Sequence, residues 1–244
     1  MISGFFHSVI YEPIYNALAF LVSIIPGGDV GVAIILITVV VKLILFPLAL
    51  KASHTQRSMR ALEPQMKEIK EKHKDSSEAL ARATLALYAE NKVNPFASIL
   101  ILFIQIPVIL GLYWVILAES KSSGFDPSLL YSFITAPEAS SFVFLGLVDL
   151  AKGSIPLALL VGITQFIQAR LMMPVAPEKT GKGFQDDLAS SMHIQMRYVL
   201  PVVLAVVAYV ASAAIALYFL TSNIFGIIQE VVAHRTHRST AKKA

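Results

Sequence analysis

The 244-residue sequence contains no cysteine, a single tryptophan and few charged residues. The absence of cysteine excludes disulfide bonds, thiolate metal sites, cysteine nucleophiles and cysteine-linked lipid anchors. Charged residues make up 15% of the chain, whereas soluble domains carry about 25%. Because 56% of the residues are hydrophobic and the mean hydropathy is +0.68, we expect a polytopic membrane protein with no large soluble domain.

Motifs of common enzyme classes are also missing. The sequence has no HExxH, no GxSxG and no glycine-rich phosphate loop. Its histidines have no metal-ligand spacing within the apolar stretches, and acidic residues such as Asp149 lie only at the edges of these stretches. We therefore expect no enzyme activity, no metal and no cofactor.

Basic residues are absent before Lys42. The N-terminal sequence therefore lacks the basic region that begins a secretory signal peptide. Residues 13–25 are apolar but too short to cross a membrane comfortably. We expect them to form an amphipathic helix in the outer membrane interface, starting near Pro13 and ending at the Pro26–Asp29 turn.

Lys42 is the most informative residue. It lies near the middle of the 21-residue stretch 30–50, which is otherwise uncharged and long enough to span a membrane. A charged side chain at the centre of a bilayer costs about 2.5–3.5 kcal/mol on insertion scales. Lys42 is too far from either end to reach the headgroups easily, so we expect it to face protein or water in a polar intramembrane cavity.

Three further apolar stretches follow, at 96–118, 155–175 and 198–229. Lysine and arginine are concentrated in alternate segments between these apolar stretches and in the segment after the last one. This pattern predicts that the segments rich in lysine and arginine are cytoplasmic. The last stretch has 32 residues and basic flanks at both ends, so it must cross the membrane twice, with a break near Ser212. The N-terminus is then outside and the C-terminus in the cytoplasm.

The predicted fold class is an all-α integral membrane protein with five transmembrane helices (TM1–TM5), an N-terminal interfacial amphipathic helix and a cytoplasmic helical hairpin. The segments are an extracytoplasmic interfacial helix at 1–29, TM1 at 30–50, the hairpin at 51–95, TM2 at 96–118, an extracytoplasmic loop at 119–154, TM3 at 155–175, a cytoplasmic loop at 176–197, TM4 at 198–211, TM5 at 213–231 and a basic cytoplasmic tail at 232–244, which we expect to be disordered.

The hairpin is predicted from two apolar stripes. The first consists of Met59, Leu62, Met66 and Ile69, and the second of Leu80, Thr84, Leu87 and Tyr88. The sequence from Asp75 to Glu78 matches a capping box that would open the second helix. Pro95 disfavours helix at the residue before it, so we expect the second helix of the hairpin to end there.

Uncharged polar residues interrupt the predicted spans. They are Thr38, Gln105, Thr164, Gln165, Gln168, Ser222 and Asn223, with Tyr218 one turn before Ser222. Each has an ordinary interpretation, because such side chains often join membrane helices by hydrogen bonds worth about 0.6 kcal/mol. As a set with Lys42, which needs about three acceptors, they favour a hydrated groove of net positive charge.

Three motifs resemble those of the YidC-type membrane protein insertases, a family with mitochondrial and thylakoid relatives. Lys92-Val-Asn-Pro-Phe through Gln105-Ile-Pro-Val-Ile-Leu-Gly-Leu-Tyr113 is similar to the family's KVNP and Q-x-P signature. TVVVKLILFPL, which contains Lys42, is similar to the first-span pattern, although the family usually has arginine there. LYFLTSNIFGIIQE is similar to the last-span pattern, and the resemblance covers nearly the whole chain.

The resemblance implies a short form without a large extracytoplasmic domain, in a prokaryotic plasma (inner) membrane. It implies a five-helix fold around a groove that is open to the cytoplasm and to lipid, in which Lys42 attracts acidic parts of a nascent membrane protein. We assign Lys42, Thr38, Gln105, Gln165, Gln168, Tyr218, Ser222 and Asn223 to this groove. The implied activity is that of an insertase and chaperone for membrane proteins.

The resemblance also implies partners. Nascent membrane proteins would be the substrates, and the hairpin would dock the ribosome, targeting machinery or the Sec translocon. The basic hairpin residues assigned to docking are Arg57, Arg60, Lys67, Lys70, Lys72 and Lys74. Membrane lipids are expected partners, and sequence-specific nucleic acid is not.

Two other functions fit the same residues. A small-solute transporter or channel would use Lys42 as a substrate counter-ion, and such proteins often contain internal repeats, which this sequence does not show. A structural assembly factor would only pack against partner helices, and it would tolerate the loss of the Lys42 charge. Solute flux and Lys42 variants distinguish these functions from insertion.

Overall fold

The computed structural model describes residues 4–74, 76–94, 96–119, 124–172 and 194–241. Within these ranges the chain is helical apart from its connections and one two-stranded ladder, which confirms the all-α prediction in outline. The elements are α1 (Gly4–Phe6), a π-helical segment (His7–Tyr11), α2 (Glu12–Ile24), a 3-10 turn (Pro26–Gly28), α3 (Val30–Ala61), α4 (Glu63–Lys72), α5 (Ser77–Glu90), α6 (Phe96–Glu119), a 3-10 turn (Pro127–Leu129), β1 (Val143–Phe144), β2 (Val148–Asp149), α7 (Ile155–Met172), a π-helical segment (Gln195–Val199), α8 (Leu200–Ala211) and α9 (Ala213–Ala241).

Three of the described helices are long and apolar enough to cross a membrane. They contain the segments Val30–Met59, Ile155–Met172 and Ala213–Ala233. Two shorter apolar helical segments, Phe103–Glu119 and Gln195–Ala211, accompany them. The chain is therefore a multi-pass membrane protein, and the arrangement of five spans stays a prediction.

Helix α3 extends well beyond the predicted end of TM1 at Leu50. It includes Pro47 and continues to Ala61, through residues such as alanine, lysine and methionine that favour helix. The interruption comes at Leu62, and Pro64 then occupies the first turn of α4, where its missing N–H breaks no helical hydrogen bond. The predicted boundary between TM1 and the hairpin, at residues 50 and 51, falls inside this helix and stays a prediction.

The N-terminal helix is also longer than predicted, because it starts at Gly4 rather than near Pro13. The π-helical segment His7–Tyr11 carries the chain into α2, and the backbone N–H of Glu12 donates to the carbonyl of His7. At the other end of the chain, the basic tail that we expected to be disordered continues α9 as helix to Ala241. Several sequence predictions lie outside the described residues, namely Asp75 of the capping box, Pro95, most of the loop 176–197 and residues 242–244.

The described residues divide into two compact units, Met1–Leu43 with Pro107–Ala244, and Ile44–Ile106. The first unit has one apolar core, built from α2, the first part of α3, the last part of α6, and α7 to α9. Tyr15, Ile34, Leu112, Val161 and Ala214 are all fully buried within it. This core fixes the positions of the helices that carry the polar residues discussed below.

The second unit contains the predicted helical hairpin. Leu62, Leu87 and Val93 are buried together, and the partly buried side chains Met59, Met66, Ile69 and Tyr88 pack around them. The predicted apolar stripes therefore do face each other. The cap of α5 differs from the prediction, because the Ser76 hydroxyl accepts the hydrogen bond from the N–H of Ala79 at 3.2 Å.

The chain leaves the helix at Ser212, the position at which the sequence predicted a break. Neither glycine nor proline is needed there, because Ser212 is extended, with φ 171° and ψ 165°. The first N–H groups of α9 donate to the loop before α7, from Ala213 to Lys152 O at 2.6 Å and from Ala214 to Leu150 O at 3.1 Å. These bonds satisfy donors that a helix start leaves without intrahelical partners.

Candidate functional site

Lys42 lies within α3, in the first unit, and its side chain is half-buried. Thr38 lies one turn earlier on the same helix face and is only 2% exposed. Its hydroxyl donates to the carbonyl of Ile34 at 2.6 Å, so the Thr38 side chain is held against its own helix. By contrast, Val40 and Leu43 are 50% and 57% exposed. The lysine thus shares a face with a buried polar residue, while the nearby Val40 and Leu43 face outward.

A second polar cluster joins α7 and α9. The side-chain amide of Asn223 donates to Thr164 Oγ1 at 3.2 Å and, at 3.4 Å, to the carbonyl of Val161. Thr164 itself donates to Leu160 O at 2.7 Å. Asn223 is 4% exposed, so this contact lies inside the bundle and holds the two helices together.

Gln168 lies close to Gly226 on the facing helix. A Cβ atom at Gly226 would collide with Nε2 of Gln168, so the glycine makes room for this amide. The Tyr218 ring, two turns before Gly226, is 2% exposed and packs at 5.7 Å from the Phe219 ring. The side chain of Ser222 lies within hydrogen-bonding reach of the Tyr218 hydroxyl.

The structure therefore brings some of the predicted groove residues together. Asn223 and Gln168 belong to the contact between α7 and α9, where Gln165 is half-buried. Thr38 and Lys42 share a face of α3 in the same unit. Gln105 is half-buried in the second unit, and its place in the groove stays a prediction.

Comparison with known proteins decides the family. The family model described as "60Kd inner membrane protein" matches residues 20–241. The chain belongs to this family. The YidC-type resemblance carried by the motifs around Lys42, Gln105 and Asn223 is thereby confirmed.

Two proteins named "Membrane protein insertase YidC" are similar to this chain. They come from Francisella philomiragia subsp. philomiragia and Francisella tularensis subsp. novicida, and each is 32% identical over 216 residues, or 88% of the chain. The match covers 34% of each relative, so the chain spans about a third of the length of these relatives.

The basic residues that the sequence predicted to take part in docking lie on α3, on α4 and in the turn after α4, within the second unit. Lys67, Lys72 and Lys74 are exposed, and Arg57 and Lys70 are half-buried. The side chain of Arg60 lies outside the described ones. The exposed lysines thus present positive charge on the surface of the hairpin.

Sequence reasoning missed a polar network at the start of the protein. The Tyr15 hydroxyl donates to Glu119 Oε1 at 3.0 Å and accepts from the N–H of Asp126 at 2.6 Å. Tyr15 is fully buried, and Glu119 is 4% exposed. Burial raises the pKa of the Tyr15 hydroxyl above its ordinary value, and the nearby Glu119 carboxylate adds to the shift although the hydrogen bond from Asp126 opposes it.

Asp29 is a second residue that the sequence did not single out. One carboxylate oxygen accepts from the N–H groups of Gly31 and Val32 at 2.8 and 3.1 Å, which caps the start of α3. The other oxygen accepts from the N–H of Leu145 at 2.7 Å. The signal was available, since aspartate directly before an apolar helix is a common cap. The link to Leu145 depends on tertiary structure.

Proposed function

We propose that this chain inserts nascent membrane proteins into the membrane and assists their folding, using a polar, positively charged groove around Lys42. The observation that carries the proposal is the half-buried position of Lys42 in a membrane-spanning helix, on the face of the buried Thr38. Membership of a family with relatives named as insertases supports it.

The proposed chemistry is the lowering of a desolvation barrier. A polar segment that enters hydrocarbon loses its hydrogen bonds to water, at several kcal/mol per unsatisfied group. A cation kept within the membrane attracts the acidic part of such a segment for part of its path. The apolar helix of the substrate then moves into lipid, driven by burial worth about 25 cal/mol per Å². No nucleotide takes part in this step.

The groove is proposed to include the predicted residues of the first unit. Thr38 supports the α3 face, and Gln165, Gln168, Tyr218, Ser222 and Asn223 supply hydrogen-bonding groups on α7 and α9. Most of them are engaged within the bundle, as with the bond from Asn223 to Thr164. We therefore assign substrate attraction to Lys42 and the shape of the groove to the others.

The proposed topology has five spans, with the N-terminus outside and the C-terminus in the cytoplasm. The first helix, Gly4–Ile24, would lie in the outer interface, where its exposed side chains Val9, Phe20 and Ile24 contact lipid. The helical hairpin of the second unit would be cytoplasmic, and its exposed lysines are proposed to dock the ribosome, targeting machinery or the Sec translocon.

A substitution of Lys42 tests this function. Lys42→Met keeps an unbranched side chain but removes the charge. We therefore expect insertion of a single-span substrate with an acidic translocated segment to fall by roughly ten- to one-hundred-fold, for a lost charged interaction of about 1.5–3 kcal/mol. Lys42→Arg should keep activity. Insertion would be measured by protease protection in vesicles containing the purified protein, with a substrate whose translocated segment is uncharged as a comparison.

Leu43→Met is the matched control, because Leu43 is adjacent in sequence and 57% exposed. It should insert both substrates normally. The groove proposal fails if Lys42→Met inserts the acidic substrate as fast as the unmodified protein. Solute flux through the same vesicles without polypeptide insertion would instead indicate a transporter.

A further inference from the structure

A cleft of about 780 Å³ lies between α7 and the helical segment that ends with α8, within the first unit. Its walls include the exposed apolar residues Leu159, Ile163, Val202 and Val206. These four side chains are between 45% and 65% exposed in the described structure. An apolar cleft on the side of a membrane protein faces the acyl chains of the surrounding lipid.

Small residues form the floor of the cleft. A Cβ atom at Gly162 would lie 3.2 Å from Cβ of Ala205 and 3.5 Å from the carbonyl of Pro201, so the two helices approach closely there. Close approach at small residues is typical of helix pairs in membranes. The larger residues on either side of this contact then project outward and form the walls.

The length of the cleft matches one leaflet. Tyr198 and Tyr209 line its two ends, eleven residues apart, which corresponds to about 16 Å along a helix. One acyl chain occupies half of a hydrocarbon core, which is about 15 Å. An acyl chain that extends between the two tyrosines would therefore fit the cleft.

The half-buried side chain of Arg197 lies beside one end. The guanidinium carbon of Arg197 is 5.8 Å from the centre of the Tyr198 ring, and this ring is 5.8 Å from that of Phe166, which also lines the cleft. Nε of Arg197 is buried, and no hydrogen-bond acceptor reaches it from the residues that the structure describes. A buried donor without an acceptor costs about 1–3 kcal/mol, so an anionic oxygen at this point would be stabilising.

We infer that the cleft binds one anionic phospholipid, with an acyl chain between Tyr198 and Tyr209 and the phosphate at Arg197. At about 30 Å³ per small group, 780 Å³ holds on the order of 25 methylenes, or one to two acyl chains. The site is independent of the proposed insertion activity.

Native mass spectrometry of the full chain tests the headgroup assignment. The protein is mixed with equal amounts of phosphatidylglycerol and phosphatidylcholine that carry the same acyl chains. We expect one retained phosphatidylglycerol, and about five-fold less retention in Arg197→Gln. Arg170→Gln is the matched control, since Arg170 is an exposed basic residue in the last turn of α7, and it should retain the lipid.

A second pair of variants tests the acyl chain. Val206→Trp fills the cleft and should reduce retention of phosphatidylglycerol, whereas Val210→Trp, at a position of α8 that is 75% exposed and does not line the cleft, should not. Both positions are exposed, so folding should survive. Equal retention of the two lipids, or unchanged retention in Arg197→Gln and Val206→Trp, would overturn the inference. So would retention of a second copy of the chain in place of a lipid.

Discussion

Asn16 connects the N-terminal helix to the loop before α7 with a single side chain. Its amide nitrogen donates to Leu129 O at 3.1 Å and to Glu12 O at 2.9 Å, and its oxygen accepts from the N–H of Tyr131 at 2.7 Å. Asn16 is 1% exposed. The side-chain amide thus makes the same two kinds of hydrogen bond that the backbone of a neighbouring strand would make with this segment. These bonds hold the loop in position.

Substitution of Asn16 should therefore destabilise the first unit. Asn16→Ala leaves a part-buried carbonyl at Leu129 and a part-buried N–H at Tyr131 without partners. Each such group costs about 1–3 kcal/mol when it is cut off from water. We expect a loss of at least about 2 kcal/mol, seen as a lower thermal unfolding temperature in detergent. Ser23→Ala is the control, because the exposed Ser23 hydroxyl bonds only to the carbonyl of Phe20. Equal unfolding temperatures for the two variants would contradict this role.

Lys42 shows how much one residue can indicate. A cation in the middle of an apolar stretch is costly, so its presence predicts a polar surrounding whatever the fold. Its half-buried position in α3 agrees with that expectation. The structure adds that the Thr38 hydroxyl, one turn away, donates its hydrogen bond to the carbonyl of Ile34.

The hairpin of α4 and α5 is a short element that depends on few contacts. Its core consists of Leu62, Leu87 and Val93, with Met66 Sδ accepting a hydrogen bond from Thr84 at 3.5 Å. Helices of this length are marginal in isolation, since most helical stability comes from packing. The hairpin should therefore open more readily than the larger core of the first unit.

Two neighbouring leucines test this element. Leu87 is 6% exposed and Leu85 is 58% exposed, on the same helix. Leu87→Ala should destabilise the hairpin by about 2–4 kcal/mol, and Leu85→Ala by less than about 0.5 kcal/mol. Hydrogen exchange of residues 63–90 would measure the difference, with faster exchange in Leu87→Ala. Equal protection in both variants would show that the observed packing does not hold the hairpin together.

Helix ends illustrate a different dependence. The break at Ser212 has no local helix-breaking residue, and it persists because the carbonyls of Leu150 and Lys152 accept from the first N–H groups of α9. Gly153 allows this loop to approach, since a Cβ atom there would collide with the carbonyl of Tyr209. The end of the α3 helix, in contrast, follows from the local Glu63-Pro64 sequence.

At the level of the whole molecule, charge distribution and span length are the basis of the proposed topology. Nine basic residues lie between Lys51 and Lys92, whereas the segment from Glu119 to Ser154 has two basic and four acidic residues. Each Lys or Arg in a short loop favours the cytoplasmic side. This asymmetry supports the orientation proposed for the hairpin and for the loop 119–154.

The absence of cysteine makes the topology directly testable. Ser128→Cys places a thiol in the loop 119–154, and Ser77→Cys places one at the start of α5; both serines are exposed. In intact cells, a membrane-impermeant maleimide should label Ser128→Cys, and it should label Ser77→Cys only after permeabilisation. The unmodified chain is the blank. Labelling of Ser77→Cys in intact cells would reverse the proposed orientation.

The amino-acid sequence by itself determined the class of protein, the apolar helices and the apolar faces of the hairpin. It also identified Lys42 as a charged residue within an apolar span. These depend on periodicity, length and charge, which act locally along the chain. The motifs around Lys42, Gln105 and Asn223 by themselves also indicate the family. The end of α3 also has a local signal, because Pro64 begins the next helix whereas Pro47 lies inside α3.

Only the tertiary structure decided which polar groups meet. The bonds from Tyr15 to Glu119, from Asn16 to Leu129 and from Asn223 to Thr164 join residues between 59 and 113 positions apart. The cleft beside Arg197 likewise needs two helices to approach at Gly162. No local pattern specifies such contacts, because they form only when the buried apolar faces of several helices have set the distances between them.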